Sequence, residues 1–441
     1  MIGYEIFVRS FRDSNEDGVG DIQGIEESIH YFLSLGVNLI WLMPIFKSPS
    51  FHGYDVTDFE DINPLYGNIE DFKKLITALH DKDIKIILDF PLHHTSSLHP
   101  WFEKALSGDE RFRNYYLWSE DEEILLERRE WDGQPVWHPS PLGHYKGLFG
   151  AGLPDLNYNN EEVVKKMKEI LKYWFDMGID GIRLDAAKHI FEDHEQNKRF
   201  WRDFLKDFEG KIFIGEIWDS QNIVDEYGEI FKYVFNFLLS YSIKESVKRE
   251  DPGLLIEGIQ KSLKSKNYIP VNFLTNHDMT RLAEYIEDER KRKLTFSILL
   301  TLPGIPFIFY GEELGMKGRY DPFFTEDVLE PFPWKETLYS KGQTMWKSFK
   351  YLKAHSGFSV EANENRNDSL LNHIRKLGKW RKNNPWIDVA NIGELGRMGS
   401  IIYYDLEGEK KIRVFHNFSN KEVRIEGIFL KPYESFITQE G

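Results

Sequence analysis

The alternation of short apolar runs with amphipathic helical patterns predicts an α/β fold. We expect a (β/α)8 TIM barrel with an inserted subdomain after strand 3 and a small C-terminal antiparallel β domain. Three observations lead to this prediction. Eight apolar runs are candidate strands in the rhythm of a parallel sheet covered by helices. A long segment without helical periodicity interrupts that rhythm, and runs alternating in period two replace it near the C-terminus.

The predicted barrel elements follow one another along the chain. The first strand, YEIFVRS, precedes the helical pattern IEESIHYFLSLG; the second, VNLIWLMP, precedes IEDFKKLITALHDKD; the third is KIILDF. The pattern resumes with the helix EEVVKKMKEILKYWFDMG, the strand IDGIRLDAAKH and a helix near residues 196–208. The last four strands are KIFIGEIWD, KYVFNF, PVNFLTNHD and GIPFIFYGEE. The barrel is therefore predicted over residues 1–94 and 156–384.

Two further regions complete the predicted architecture. Residues 95–155, which include WDGQPVWHPSPLGHYKGLFGAGLPD, form too long a segment for an ordinary βα loop, so we expect an inserted subdomain. After residue 384, SIIYYDL, KIRVFHNFS, VRIEGIFL and SFITQ alternate between apolar and polar positions, with turn residues between them. A C-terminal β domain is expected over residues 385–441.

Composition and charge narrow the function classes. The 441 residues carry a net charge of −16, which disfavours nucleic acid and anionic membranes as partners. The chain contains no Cys, so it has neither disulfides nor thiol-ligated metals. No apolar run reaches the roughly 18 residues of a membrane span, and the N-terminus does not read as a leader peptide. We expect a cytoplasmic protein, either a monomer or a homodimer.

Carboxylates stand where predicted barrel strands end, and there the βα loops of a barrel converge. Asp185, Glu216 and Asp278 end three of those strands. Each has an ordinary interpretation alone, such as a salt bridge from Asp185 to Arg183 or a surface position for Glu216. His277, likewise, has the ordinary interpretation of a buried core histidine. Because all three carboxylates are expected on the same rim of the barrel, a catalytic role is favoured over these ordinary interpretations.

Glycoside chemistry gives such a group of carboxylates a purpose. A retaining glycosidase uses one carboxylate as nucleophile and one as acid/base, about 5 to 5.5 Å apart. Arg183, two residues before Asp185, would keep a nucleophile ionised there. Asp278 could support the proton of the acid or bind sugar hydroxyls.

Four motifs make the resemblance specific. LDFPLHH, GIRLDAAKH, GEIW and FLTNHD resemble, in that order, the signature regions of the α-amylase family of retaining glycosidases and transglycosylases. GVNLIWLMP, GYDVTDF, GLPDLN and GIPFIFYGEE resemble its accessory regions. The similarity covers residues 1 to about 335, and the C-terminal β domain matches the family layout.

The resemblance implies a role for each matching residue. It implies Asp185 as nucleophile, Glu216 as acid/base and Asp278 as third catalytic carboxylate. Six further positions would bind sugar: Tyr54 by stacking, His94, Arg183 and His277 by gripping the same sugar, and Lys188 and His189 on the acceptor side. Asp89 would be structural support. His93 departs from the family, since many members have Asn there as a ligand of an interdomain calcium.

The resemblance also narrows the activity. Ala186 and the Lys-His pair after it resemble members that act on α-1,4 linkages, whereas α-1,6-cleaving members tend to carry Val at that position. The compact chain is similar to short bacterial 4-α-glucanotransferases, with α-1,4-glucans or maltooligosaccharides as donor and acceptor and no organic cofactor. Stacking walls could come from several aromatic side chains: Trp101, Trp131, Trp137, Phe149 and Trp218. An α-amylase or α-glucosidase is the alternative activity, and a catalytically silent sugar-binding or scaffold protein is another.

The segment DSNEDGVGDIQG, residues 13–24, resembles the start of an EF-hand loop. Oxygen ligands would come from five positions: Asp13, Asn15, Asp17, the Val19 carbonyl and Asp21. Gly24 stands where an EF-hand needs a bidentate Glu, which argues against a calcium sensor. We expect a structural Ca²⁺ in the first βα loop, as in several family members. A metal-free Asx-turn is the alternative.

Overall fold

A computed structural model describes residues 1–264, 266–425 and 427–438. The strands are β1 (Gly3–Ile6), β2 (Leu39–Leu42), β3 (Phe46–Lys47), β4 (Asp58–Ile62), β5 (Lys85–Phe90), β6 (Trp118–Ser119), β7 (Trp137–Ser140), β8 (Gly143–Lys146), β9 (Gly181–Leu184), β10 (Ile212–Gly215), β11 (Tyr233–Phe235), β12 (Ile269–Asn272), β13 (Ile305–Phe309), β14 (Asn391–Met398), β15 (Ile401–Glu407), β16 (Lys411–Asn417), β17 (Val423–Ile425), β18 (Ile428–Leu430) and β19 (Ser435–Ile437).

The α-helices are α1 (Val8–Phe11), α2 (Ile22–Glu27), α3 (Ile29–Leu35), α4 (Ile69–His80), α5 (Pro100–Leu106), α6 (Glu110–Arg113), α7 (Glu161–Met177), α8 (His194–Leu205), α9 (Gln221–Gly228), α10 (Phe237–Arg249), α11 (Gly253–Ser262), α12 (Leu282–Tyr285), α13 (Glu289–Thr301), α14 (Val360–Glu364) and α15 (Leu370–Lys382). Short 3₁₀ turns span Ile124–Leu126, Ala187–His189, Lys206–Phe208, Glu312–Leu314, Thr325–Val328 and Pro385–Val389.

Eight parallel strands close a barrel in the order β1-β13-β12-β11-β10-β9-β5-β2, which confirms the predicted fold class. The chain divides into two compact units. The first contains Met1–Trp41, Thr77–Ile86 and Trp218–Gly441, and the second contains Leu42–Ile76 and Ile87–Ile217. The domain boundaries given above stay a prediction, and residues 426 and 439–441 of the predicted C-terminal domain lie outside the described residues.

The second unit pairs β9 with β5 on one side and with β10 on the other. Its longest helix, α7, begins at an Asn160 cap and ends at Gly178, whose φ of 117° is a conformation that favours glycine. The inserted segment contributes a three-stranded sheet in the order β6-β8-β7. This sheet follows the third barrel strand, where the sequence places the insertion.

In the first unit, β1 pairs with β13, and β12 pairs with both β13 and β11. Gly3 has no side chain because the ring of Phe307 occupies that space: an added Cβ would lie 2.4 Å from a ring carbon. Trp41 packs against the rings of Phe307 and Phe235, with centroids 6.1 and 5.4 Å apart. A separate antiparallel sheet, β14-β15-β16-β19, agrees with the period-two pattern of the C-terminal sequence.

Two predicted elements differ in detail. The strand expected over YEIFVRS ends at Ile6, and α1 starts at Val8. The helix expected over IEESIHYFLSLG is divided at Ser28 into α2 and α3. The Ser28 hydroxyl donates to the Gly24 carbonyl at 2.7 Å, and this type of side-chain bond bends helices.

Within the described ranges, no helix has both the length and the apolar character that crossing a membrane requires.

Candidate active site

A single guanidinium organises the candidate site of the second unit. Arg183 Nη1 lies 2.8 Å from Asp89 Oδ1 and 2.7 Å from Asp185 Oδ1, and Nη2 lies 2.6 Å from Glu216 Oε1. The Tyr54 hydroxyl donates to Asp89 Oδ2 at 3.0 Å. Two carboxylates predicted from strand ends, Asp185 and Glu216, therefore meet on one cation.

Burial and the neighbouring charges shift the pKa of the Arg183 guanidinium in opposite directions. The Arg183 side chain is 1% exposed, and burial lowers the pKa of its guanidinium. The acidic groups around it, Asp89 and Glu216 first, outweigh burial and raise the pKa well above its ordinary value. The side chains of Asp185 and Glu216 keep 14% and 13% exposure, so a ligand can reach both. Arg183 is thus a permanently charged support beneath two accessible carboxylates.

Strand register explains how distant residues reach this cation. Asp89 of β5 is the direct partner of Arg183 of β9, and Ile214 of β10 faces Arg183 from the other side. Asp185 and Glu216 come directly after β9 and β10, and their backbone amides donate to the Phe90 carbonyl at 3.3 Å and the Leu184 carbonyl at 3.1 Å. Carboxyl ends of neighbouring parallel strands lie at one edge of the sheet, so the two carboxylates lie at the same edge.

Ala186 holds an unusual backbone conformation next to the candidate nucleophile. Its φ of 47° and ψ of 37° are left-handed, a region that few residues other than glycine adopt. Its amide donates to Glu216 Oε2 at 3.0 Å. The turn that follows is fixed by Asn197 and Trp201, whose side chains both donate to the Ala187 carbonyl. Backbone strain of this kind concentrates at functional sites.

Two neighbouring histidines are buried and neutral. Burial lowers the pKa of His93 and of His94 to about 3. Their Nδ1 atoms lie 3.3 Å apart, and His93 Nδ1 lies 3.5 Å from Asp155 Oδ1. His94 Nε2 is buried without a hydrogen-bond partner among the described residues. That nitrogen is a candidate contact for a ligand.

The surroundings of His93, where the resemblance places the interdomain calcium of many family members, include the buried side chains of Asp155 and Lys146. Burial raises the pKa of the Asp155 carboxyl to about 7, and its Oδ1 accepts from the Leu148 amide at 3.0 Å. The buried side chain of Lys146 forms an ion pair with Glu192. His93, which stands where many family members have Asn, is neutral and contacts Asp155.

The predicted acceptor-side residues lie on the 3₁₀ turn Ala187–His189. The His189 ring stands edge-on to Phe149 and to Trp131, with centroids 5.9 and 6.1 Å apart. Trp131 stacks on Phe149 at 6.0 Å and is 53% exposed. These three rings form an aromatic cluster at the surface beside Lys188.

The other aromatic candidates contact protein side chains. Trp101 packs on His99 and Tyr115, and Trp137 donates to Glu127 at 2.9 Å. Trp218, in the first unit, stacks on Phe237 at 4.6 Å and is 51% exposed.

The first unit holds two of the predicted sugar-site residues, His277 and Asp278. His277 Nδ1 lies 2.6 Å from Glu5 Oε1, and Nε2 lies 3.1 Å from Asp278 Oδ2. A cleft of about 540 Å³ is lined by Asp278 and eight further residues: Lys244, Lys248, Met279, Thr280, Glu284, Tyr285, Arg319 and Tyr320. Asp278 is thus both accessible and hydrogen-bonded.

The loop predicted to bind calcium connects α1 and α2. Asp13 accepts from the amides of Asn15, Glu16 and Gly18, and Asp17 accepts from the Val19 amide. Asp21 caps α2 through Gly24 and accepts from Ser14.

Two acidic groups of this loop, Asp13 and Asp21, lie close enough for the charge of one to act on the other. Burial raises the pKa of the Asp21 carboxyl, and the nearby Asp13 charge adds to the rise. In the described part of the chain, no group of three or more His, Asp or Glu side chains is arranged to hold a metal ion.

The sequence analysis does not identify Glu5 or Asp155 as members of these clusters. Glu5 was overlooked, although an acid inside the apolar strand YEIF is a signal that a buried charge needs a partner. Asp155 was noticed only within the motif GLPDLN. Asp89 was interpreted as support, and its contacts with Arg183 and Tyr54 are consistent with that interpretation.

Known proteins resemble this chain over nearly its full length. A family model described as "Alpha amylase, catalytic domain" matches residues 5–390. The 4-alpha-glucanotransferase of Thermotoga neapolitana is 51% identical over 440 residues, and that of Thermotoga maritima is 49% identical over 439 residues. Each alignment covers 99% of this chain and 99% of the relative. The crystal structure of an alpha-amylase from H. orenii matches with a TM-score of 0.91 and 38% identity, covering 99% of this chain and 98% of that chain.

Proposed function

This chain belongs to the α-amylase family, and from that premise we propose that it is a 4-α-glucanotransferase that moves segments of α-1,4-glucans between maltooligosaccharides. The observation that carries the site assignment is the Arg183 guanidinium, which contacts Asp185 and Glu216 through adjacent nitrogens. Carboxylates held by one guanidinium are closely spaced, which favours the retaining arrangement of about 5 to 5.5 Å over the wider inverting one.

We assign Asp185 as nucleophile and Glu216 as acid/base. An Asp185 oxygen bonds to the anomeric carbon while the glycosidic bond breaks, and Glu216 gives its proton to the departing oxygen. The hydroxyl of an acceptor sugar then attacks the same carbon and gives its proton to Glu216, which frees Asp185. Asp278 is the third carboxylate, which binds hydroxyls of the reacting sugar.

The remaining site residues bind and orient sugar. Tyr54, fixed through its hydroxyl to Asp89, presents its ring for stacking. His94 is neutral and its buried Nε2 has no partner among the described residues, so it suits a neutral sugar hydroxyl. We assign Arg183 and His277 to the binding of the same sugar. Lys188 and His189 bind the acceptor, beside the exposed ring of Trp131.

Transfer and hydrolysis share the covalent intermediate and differ in what attacks it. The match to an alpha-amylase structure makes α-1,4 hydrolysis the second candidate. A transferase must favour an acceptor sugar over water, and the cluster of Trp131, Phe149 and His189 offers rings on which an acceptor can stack.

Incubation with maltotetraose separates the two activities. Transfer yields maltooligosaccharides both longer and shorter than the substrate, whereas hydrolysis yields only shorter ones. Products limited to glucose, maltose and maltotriose would refute the transferase assignment.

Two substitutions test the catalytic assignment. Asp185→Ala and Glu216→Gln should each lower turnover by several orders of magnitude, since each removes a group that acts in the chemical step. Asp203→Ala and Glu169→Gln are matched controls on exposed helix surfaces, where the carboxylates pair with Lys206 and Lys166. Near-normal turnover of either site variant would overturn its role.

We also propose that the first βα loop binds a structural Ca²⁺ through Asp13, Asn15, Asp17, the Val19 carbonyl and Asp21. Hard oxygen donors are the ligands that Ca²⁺ prefers, and an ionised carboxylate has about four lone-pair sites, so oxygens that accept amides can still coordinate. A cation would also offset the buried charge of Asp21.

Calcium should therefore raise the melting temperature of the metal-depleted protein, and Asp17→Asn should reduce that rise. The site would be refuted if added Ca²⁺ left the melting temperature unchanged and dialysed protein retained no metal.

We further propose that the protein is a cytoplasmic monomer or homodimer without nucleic-acid or membrane partners. Its net charge of −16 favours neutral substrates over polyanions, and the absence of Cys is compatible with a reducing compartment. Light scattering after gel filtration and fractionation of native cells test these two points.

A further inference from the structure

We propose that Glu5, on the first barrel strand, is a positioning residue: it fixes the ring of His277, which in turn holds the carboxylate of Asp278. This inference rests on the proposed role of Asp278 in catalysis. It adds to the site a residue that does not itself touch substrate.

The side chains of Glu5, His277 and Asp278 form a continuous row of hydrogen-bonded groups within the first unit. Glu5 Oε1 lies 2.6 Å from His277 Nδ1, and His277 Nε2 lies 3.1 Å from Asp278 Oδ2. Exposure rises along it: the side chains of Glu5 and His277 are 3% and 5% exposed, and that of Asp278 is 40% exposed. This row of side chains thus runs from the buried Glu5 to the cleft that Asp278 lines.

With Glu5 and Asp278 both ionised, the geometry requires both ring nitrogens to donate. An ionised carboxylate only accepts hydrogen bonds, and a neutral imidazole has a single N–H. His277 can bond both Glu5 and Asp278 only as an imidazolium. The pKa of His277 agrees with this: burial lowers it, but the charges of Asp278 and Glu5 outweigh burial and raise it well above its ordinary value.

The surroundings of the ring leave these two carboxylates as the main charges acting on it. Trp41, from β2, packs edge-on against the ring at 5.8 Å and is uncharged. Glu312, from the turn after β13, accepts a hydrogen bond from Thr275, and burial raises its pKa to about 7. Replacing Glu5 therefore removes a charge that favours the protonated ring.

Glu5→Gln is the decisive variant because it keeps the size and one acceptor but removes the charge. Loss of an opposite charge at this distance should lower the pKa of His277. Above the new pKa the ring is neutral, so Asp278 loses the positive charge of its imidazolium neighbour and keeps at most a hydrogen bond from a neutral ring. The alkaline limb of the kcat/KM profile for maltotetraose transfer should move at least about 1 pH unit lower. At the acid end, activity should stay within about threefold of the unmodified enzyme.

Two further variants separate positioning from folding. Glu5→Asp keeps the charge and should restore most of the alkaline limb. Tyr4→Phe is the matched control: it removes one buried hydrogen bond, to Glu313, from the neighbouring residue of the same strand, and it should leave the shape of the pH profile unchanged.

The pKa of the ring can also be followed directly, by NMR of protein labelled with ¹⁵N in the histidine rings, with the His277 signals assigned by their loss in His277→Gln. A lower pKa of His277 in Glu5→Gln supports the proposal. It is overturned if that pKa is unchanged, or if Glu5→Gln lowers activity by the same factor at every pH. Failure of the proposed function gives a different result, because the unmodified protein would then form no products longer than maltotetraose at any pH.

Discussion

Replacing Asp89 with alanine should destabilise the second unit strongly, although Asp89 is assigned no part in the chemistry. Its side chain is 0% exposed and bonds Arg183 and Tyr54, so the substitution removes one buried acceptor from each of them. Removing one partner of a buried ion pair costs about 3 to 5 kcal/mol. A hydrogen bond to a charged group contributes about 1.5 to 3 kcal/mol.

The two effects share one residue and do not add in full, and Arg183 keeps its ion pairs with Asp185 and Glu216, so we expect a loss of about 3 kcal/mol in the free energy of unfolding. Asp89→Asn keeps an acceptor for the Tyr54 hydroxyl and loses only the charge, so its loss should be smaller. Both variants should also lower kcat/KM by about 100-fold or more, since Arg183 and Tyr54 would no longer be held in place.

Denaturant unfolding followed by tryptophan fluorescence measures the change, with Asp203→Ala as control. Asp203 sits on exposed α8 and pairs with Lys206 at 2.6 Å, so its replacement should leave the unfolding midpoint unchanged. An Asp89→Ala protein within about 1 kcal/mol of the unmodified protein would refute the claim that a buried charge pair supports the site.

Three further substitutions test other features. Gly3→Ala forces a methyl group into the Phe307 ring and should lower the free energy of unfolding by about 1 to 3 kcal/mol in denaturant titrations; no change would contradict the packing. Ala186→Val places a branched side chain at a φ of 47° and should lower kcat at least about tenfold, by moving the amide that donates to Glu216, whereas Ala186→Gly should lose less activity. Burial lowers the pKa of His416 to about 3, so only the unfolded chain gains a proton there as the pH falls below about 6.5. The unmodified protein should therefore lose stability between pH 7 and 5 by about 2 kcal/mol more than His416→Asn, in urea titrations at each pH.

Membership of the α-amylase family is compatible with both transfer and hydrolysis. Glucanotransferase relatives about 50% identical over the full chain support transfer, and an α-amylase structure with a TM-score of 0.91 shows that the same fold serves a protein named for hydrolysis. The fold therefore does not choose between water and sugar as attacking group. In the proposed mechanism that choice depends on the acceptor side, which we assign to the cluster of Trp131, Phe149 and His189.

Local patterns in the sequence determined the fold class and the candidate catalytic carboxylates. A strand in a parallel barrel is apolar on both faces and a covering helix repeats with a period near 3.6, so each element leaves a signal within about ten residues. Polar residues after such runs, such as Asp185 and Glu216, stand out because the runs are otherwise apolar. Even the break at Ser28 depends on a bond four residues away, yet the helical pattern concealed it.

Only the tertiary structure decided which charges meet. Arg183 was expected to contact Asp185, two residues away, but it also contacts Asp89 and Glu216, which come from other strands. Glu5 meets His277 across 272 residues of sequence, and nothing near either residue in the sequence indicates the other. Strand order and register bring such pairs together, and these properties arise from the packing of all eight strands. The sequence therefore determined which residues could take part, and the register of the barrel determined which of them touch.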